Sequence, residues 1–244
     1  MSPLWNLKHP LLIQARSLAR QADARLVRFT GALLSLDVFF IALFSVDRIT
    51  AIYYDRPPVL NKQWSIGIDG SYPEVAGYLK EAIIVCGLIS IRKLRQWPIY
   101  PAVALIYTIV FLDDALQLHE QLGRGLANDL ALQAFAGRLS VQLGQLIFWA
   151  MLGIILLIGV RAAFVRSRQK DRFNGMLLLA AFAVLVLFAV LVDSAHAVVK
   201  HNLRFPGDEL LFTVIEDGGE QITLSLTCSL ALLIRRDVRA REGT

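Results

Sequence analysis

Cysteine is nearly absent from this chain. Cys86 and Cys228 are the only two in 244 residues, and they form no CxxC pair or other metal-type spacing. Both sit inside apolar blocks and are expected as small buried apolar residues. Charge is scarce as well, at 18% Asp, Glu, Lys and Arg, where a soluble domain carries roughly 25%. HExxH and Glu-x-x-His are missing, so no metal motif can be read from local spacing. A cleavable leader is missing too. The first apolar block starts near residue 29, behind five Lys/Arg, and no short apolar core with a small-residue cleavage site precedes it. Long polar connections, internal repeats and an inverted symmetry between halves are also lacking, which leaves no room for a separate soluble domain and no transporter-type repeat.

What is abundant is apolar sequence. The hydrophobic fraction is 56% and the mean hydropathy +0.54. The apolar residues fall in blocks at 29–54, 73–92, 98–119, 139–160, 174–199 and 209–234, each long enough to cross a bilayer as a helix. The fold class expected is all-α, a polytopic transmembrane bundle of about six spans. Its domains are a basic amphipathic cytoplasmic segment (1–28), a six-span transmembrane domain (29–234) and a basic cytoplasmic tail (235–244). Tyr53, Tyr54, Tyr72, Trp97 and Tyr100 stand near block ends, where interfacial aromatics gather.

The net charge of +5 does not indicate nucleic acid, because the basic residues sit in short connections between the blocks. Lys8, Arg16, Arg20, Arg25 and Arg28 precede the first block. Arg92, Lys93 and Arg95 follow the second, and Arg161, Arg166, Arg168, Lys170 and Arg172 follow the fourth. Arg235, Arg236, Arg239 and Arg241 follow the last. Seventeen of the 25 Lys/Arg therefore fall on one side and six on the other, which places both termini in the cytoplasm.

Ionisable residues at membrane depth are disfavoured by about 2.5–3.5 kcal/mol each, yet this chain has many. With the orientation above, Asp113, Asp114, His119, Glu120, Asp193, His196, Glu216, Asp217 and Glu220 all come to the outer half, together with Glu74, Lys80 and Glu81. Only Asp37 lies toward the inner half. Asp113 and Glu120 are seven apart, Asp193 and His196 three, and Glu216 and Glu220 four, so each pair shares a helix face. Gly218 and Gly219 leave space beside the acids for a backbone, a water or a ligand.

Carboxylates cannot all stay ionised side by side without compensation. Carboxylate plus imidazole suits Zn, Mn or Fe. The metal set expected is Asp113, His119, Glu120, Asp193, His196, Glu216 and Glu220, holding a divalent ion, with Glu120 and Asp114 as catalytic carboxylates. The function expected is a metal-dependent membrane hydrolase or related enzyme working on a lipid or small molecule at the outer leaflet. The alternatives are a cation- or proton-coupled transporter or channel and a non-catalytic accessory or sensor protein. A structural pairing of Arg48 or Lys80 with Glu81 and the Asp113–Asp114 pair is the plainer explanation of part of the cluster.

The string Phe111-Leu112-Asp113-Asp114-Ala115-Leu116-Gln117-Leu118-His119-Glu120 resembles the hallmark of a group of bacterial polytopic membrane proteins, in which a span ends in two acids followed by His-Glu. Their later acid-rich span is similar to Glu216-Asp217-Gly218-Gly219-Glu220, and Asp69-Gly70-Ser71-Tyr72-Pro73-Glu74 is similar to a segment of theirs. The resemblance implies a shared site and a bacterial inner membrane, and supplies no substrate. The spaced-histidine pattern of alkaline ceramidase-like hydrolases is not reproduced by His196 and His201.

Overall fold

The computed structural model describes residues 14–16, 18–91, 98–202 and 207–242, and among these the regular structure is helical throughout. Eight principal helices are numbered α1 to α8. The expected amphipathic segment lies outside the described residues over 1–13 and at 17, as do the basic connection 92–97 and residues 203–206.

Helix α1 (Ala24–Tyr53) starts where Asp23 caps it, the carboxylate accepting the Leu26 N–H at 2.8 Å. Its 30 residues reach about 45 Å, more than a bilayer's apolar core. Helix α2 (Tyr72–Ile89) starts at the Ser71 cap with Pro73 in its first turn. Helix α3 (Ile99–Leu116) stops at Gln117, whose φ of 52° is left-handed. Helix α4 (Leu118–Asp129) follows at once and packs along α5 (Ser140–Arg166). Helix α6 (Gln169–Val186) passes through a π-helical segment, Leu187–Val192, into α7 (Asp193–Asn202). Helix α8 (Asp208–Glu242) is the longest, at 35 residues.

Among the described residues, four helical stretches are long and apolar enough to cross a membrane: α1, α3, α5 and the run Gln169–Lys200. On α5, Met151, Ile154, Ile155, Leu157 and Ile158 are each more than half exposed. A helix that bares so apolar a face suits lipid rather than water. Helices α2 and α8 stand where the other two spans are expected but fall short in apolarity, and their packing explains why. Helix α8 contacts α1, α2, α6, the π segment and α7, and α2 contacts both α3 and α8. These contacts bury the polar residues that lower their apolarity, Lys80 and Glu81 on α2 and Thr223, Ser225 and Thr227 on α8.

The two ends of the bundle differ. Where α2 and α8 end and α3 and α6 begin, Ile84, Leu88, Tyr100, Val103, Tyr107, Leu178, Cys228, Ala231 and Ile234 form a dry core. Cys228 is buried there, whereas Cys86 is exposed on α2 rather than buried as expected. The buried Asp171 closes this end, accepting from Tyr100 Oη at 3.0 Å and from Arg241 Nη1 at 3.3 Å. Residues 235–242 thus continue α8. At the other end the helices splay around a polar chamber.

Candidate functional site

The chamber encloses about 390 Å³ and is walled by residues from every principal helix except α1 and α6. Asp113, Asp114, His119, Glu120, Asp193, His196, Glu216 and Glu220 all contribute to it, and so do Asp69, Glu74 and Asp217. Nine carboxyl groups and two imidazoles therefore share one cavity, and among the described residues no Lys or Arg lines it.

The α3–α4 wall is made by a helix break. Sequence periodicity runs the third span as one helix to residue 119, with Asp113 and Glu120 on a common face. Instead the Asp113 carboxylate reaches past the end of α3. Oδ1 accepts the backbone N–H of His119 at 2.7 Å, and Oδ2 pairs with its ring Nδ1 at 2.7 Å. The side chain takes over bonds that a continuous helix would make, and Gln117 turns left-handed to permit it. The two residues reach the chamber through this break and not through shared phase. The Asp113 carboxylate thereby fixes the orientation of the His119 ring. Glu120 sits at the rim, bonded to Arg124 at 3.0 Å.

The opposite wall repeats the pattern. His196 Nδ1 lies 3.2 Å from Glu216 Oε2, its ring stacks on Phe212 at 5.0 Å, and its buried Nε2 has no hydrogen-bond partner among the described residues. Asp193 accepts from Gln142 Nε2 at 2.5 Å. The π segment just before Asp193 widens the helix and offsets α7 from the phase of α6. The space expected beside Gly218 and Gly219 is taken by side chains. A Cβ at Gly219 would lie 2.5 Å from the Phe188 ring, and one at Gly218 3.1 Å from Ile41.

The α1–α2 connection folds over the top. Asp47 holds it by accepting the N–H groups of Val59 and Leu60 at 2.9 and 3.1 Å, and Ile66 plugs between Phe40 and Phe44. Gly67 then passes so close to α8 that a Cβ would sit 2.9 Å from Thr213. This brings in Asp69, which accepts from the Gln117 amide, and Glu74, which accepts from Gly70 N–H and from Tyr78 Oη at 2.5 Å.

At the floor the ion pairing differs from the expected one. Lys80 Nζ donates to Asp37 Oδ1 at 2.5 Å and to Gln221 Oε1 at 2.7 Å, and Ser225 Oγ donates to Asp37 Oδ2 at 2.5 Å. Lys80 is therefore committed to Asp37, not to Glu81 or Asp113–Asp114. Arg48 lies over the Phe44 ring, 5.2 Å from its centroid. Glu81 is 1% exposed, beside Asp114, Glu220 and Asp113, and neither of its oxygens meets a donor among the described residues.

Among the described residues no three His, Cys, Asp or Glu side chains are close enough together to hold a metal ion as they stand. The seven expected ligands share the cavity without converging on one point in it. Sequence reading passed over Gln142, Gln145, Trp149 and Gln221 as wall residues. Gln142 and Gln145 gave a usable signal, two amides one helical turn apart at the start of an otherwise apolar block. His201 is placed on α7, and its side chain lies outside the described residues.

No curated protein and no solved structure matches the chain. A family model matches residues 31–234, and the chain belongs to that family, described as a domain of unknown function, DUF8692.

Proposed function

We propose that this is a six-span protein of a bacterial cytoplasmic membrane, with both termini inside, whose chamber opens at the outer face as the cation-binding active site of a hydrolase-type enzyme. The observation that carries this reading is the chamber wall, with nine carboxyls and two imidazoles and, among the described residues, no Lys or Arg. Such a wall draws positive charge. Each imidazole is oriented by a carboxylate at Nδ1, which fixes the ring and leaves Nε2 to take a proton from water or hold a ligand. His196 is the acid–base residue, because its Nε2 is buried and has no partner among the described residues. Asp114, deeper than Glu120 and free of Arg124, is the better placed of the two carboxylates.

The test uses detergent-solubilised full-length protein and a bacterial total lipid extract, with hydrolysis products followed by mass spectrometry. Wild type should release product, and His196→Ala should lose about 10²–10⁴-fold without losing its fold. Absence of product from the wild type, or equal turnover by the variant, contradicts the reading. Elemental analysis belongs in the same experiment. Stoichiometric Zn, Mn or Fe, removed by chelation together with activity, would make the cation a resident metal.

A second reading, a proton- or cation-coupled transporter, draws on one observation. Gln221 and the buried groups Lys80, Asp37 and Ser225 are hydrogen-bonded in series from the chamber floor toward the opposite end. Their closed ion pair makes a plug, which favours the one-sided site.

A further inference from the structure

A second cavity of about 560 Å³ lies beside the chamber, among α3, α5, α6, the π segment and α8. Its wall is apolar, formed by residues such as Val110, Leu156, Leu157 and Phe182. Two features of its border are unusual. Asp114 and Glu220 belong to both cavities, as do Trp149, Ala189 and Leu224. Ala189 lies in the π segment Leu187–Val192, and such segments tend to mark functional sites in helices. Behind the shared acids stands Glu81, buried beside Asp114. Lys80 does not balance these acids, because it is paired with Asp37.

Resting on the reading of the chamber as a cation-binding active site, we propose that its substrate class is a long-chain amphiphile with a cationic amine headgroup. The chain lies in the apolar cavity, and the headgroup passes Asp114 and Glu220 into the chamber. Charge complementarity selects the amine, because the chamber carries nine carboxyls and, among the described residues, no Lys or Arg. Continuity of the two cavities through shared residues selects a single molecule with both parts. Each volume falls within the range of small-molecule sites, roughly 300–1,000 Å³.

The experiment measures binding to the solubilised full-length protein by thermal shift, with butylamine, octylamine, dodecylamine and dodecanol as probes. Two variants isolate the two halves. Gly153→Leu puts a side chain into the apolar cavity, which Gly153 lines with nothing within 4 Å of its Cβ position. Asp114→Asn weakens the charged border. In wild type, affinity for amines should rise about tenfold for every two methylenes added, and dodecanol should bind at least tenfold more weakly than dodecylamine. Gly153→Leu should lower dodecylamine affinity at least tenfold and leave butylamine unchanged, and Asp114→Asn should weaken both amines.

The two levels fail differently. If dodecylamine binds Gly153→Leu as it binds wild type while amines still outcompete dodecanol, the amphiphile inference falls and the cation site stands. If dodecanol matches dodecylamine and Asp114→Asn changes neither, the cation site itself falls. The chain-length series on wild type decides the first question even if a variant fails to fold.

Discussion

At the residue scale the most consequential contact is Lys80 with Asp37, whose side chains are 1% and 0% exposed. Removing one partner of a buried pair leaves the other charge uncompensated, at about 3–5 kcal/mol, whereas replacing both with apolar residues of similar volume is often neutral. Lys80→Met is therefore expected to lower the thermal unfolding temperature sharply, and Lys80→Met with Asp37→Leu to recover most of the loss. Thermal unfolding of the three proteins checks this, and a double variant no better than the single one would show that the pair does more than neutralise itself. Sequence placed both residues at membrane depth but paired Lys80 with nearby acids. Asp37 is 43 positions away on another helix, and no local spacing carries such a contact. The residue types of the site were legible because ionisable groups in apolar blocks are costly. Their partners were not, because those depend on how helices rotate against one another.

At the element scale two irregularities build the site, and neither follows from helical period. The first is the α3–α4 break, where Gln117 is held at φ 52°. Left-handed backbone is strained for a β-branched side chain and free of strain for glycine. Gln117→Val is accordingly expected to destabilise the protein by about 1–3 kcal/mol relative to Gln117→Gly, and unfolding of the pair in parallel measures it. Equal stabilities would mean that the break relaxes to continuous helix. The motif Asp113-Asp114-x4-His119-Glu120 was visible in the sequence and is now accounted for locally, since Asp113 caps the helix that carries His119. The second irregularity is the π segment Leu187–Val192, which leaves no mark in a hydropathy profile because its residues are as apolar as the α-helix around it.

At the scale of the whole molecule the chain is an apolar bundle with one dry end and one acidic end. The six blocks read from sequence all coincide with helices, because a bilayer-length apolar run has few other solutions. The apolarity of α2 and α8 was overestimated, since those blocks were bounded by hydrophobic stretches while their polar faces turn inward. The chamber was legible as a depth, through the gathering of acids toward one end, but not as a volume with walls. Its closest approaches, such as Gly67 against Thr213, come from a loop whose path the sequence does not encode in any periodic way.

The central claim is that the acids form one chamber that takes up positive charge. The measurement is thermal unfolding of wild type and Glu220→Gln, each titrated with Mn²⁺ and, separately, with butylamine. Glu220 borders both cavities. Neutralising it relieves repulsion in the free protein and removes part of the attraction for a bound cation. The account predicts that Glu220→Gln unfolds at a higher temperature than wild type without added cation. It also predicts that at least one of the two cations raises the wild-type temperature in a concentration-dependent way and raises the variant less. A wild type indifferent to both cations, or a variant that responds to them as strongly as wild type, would contradict it.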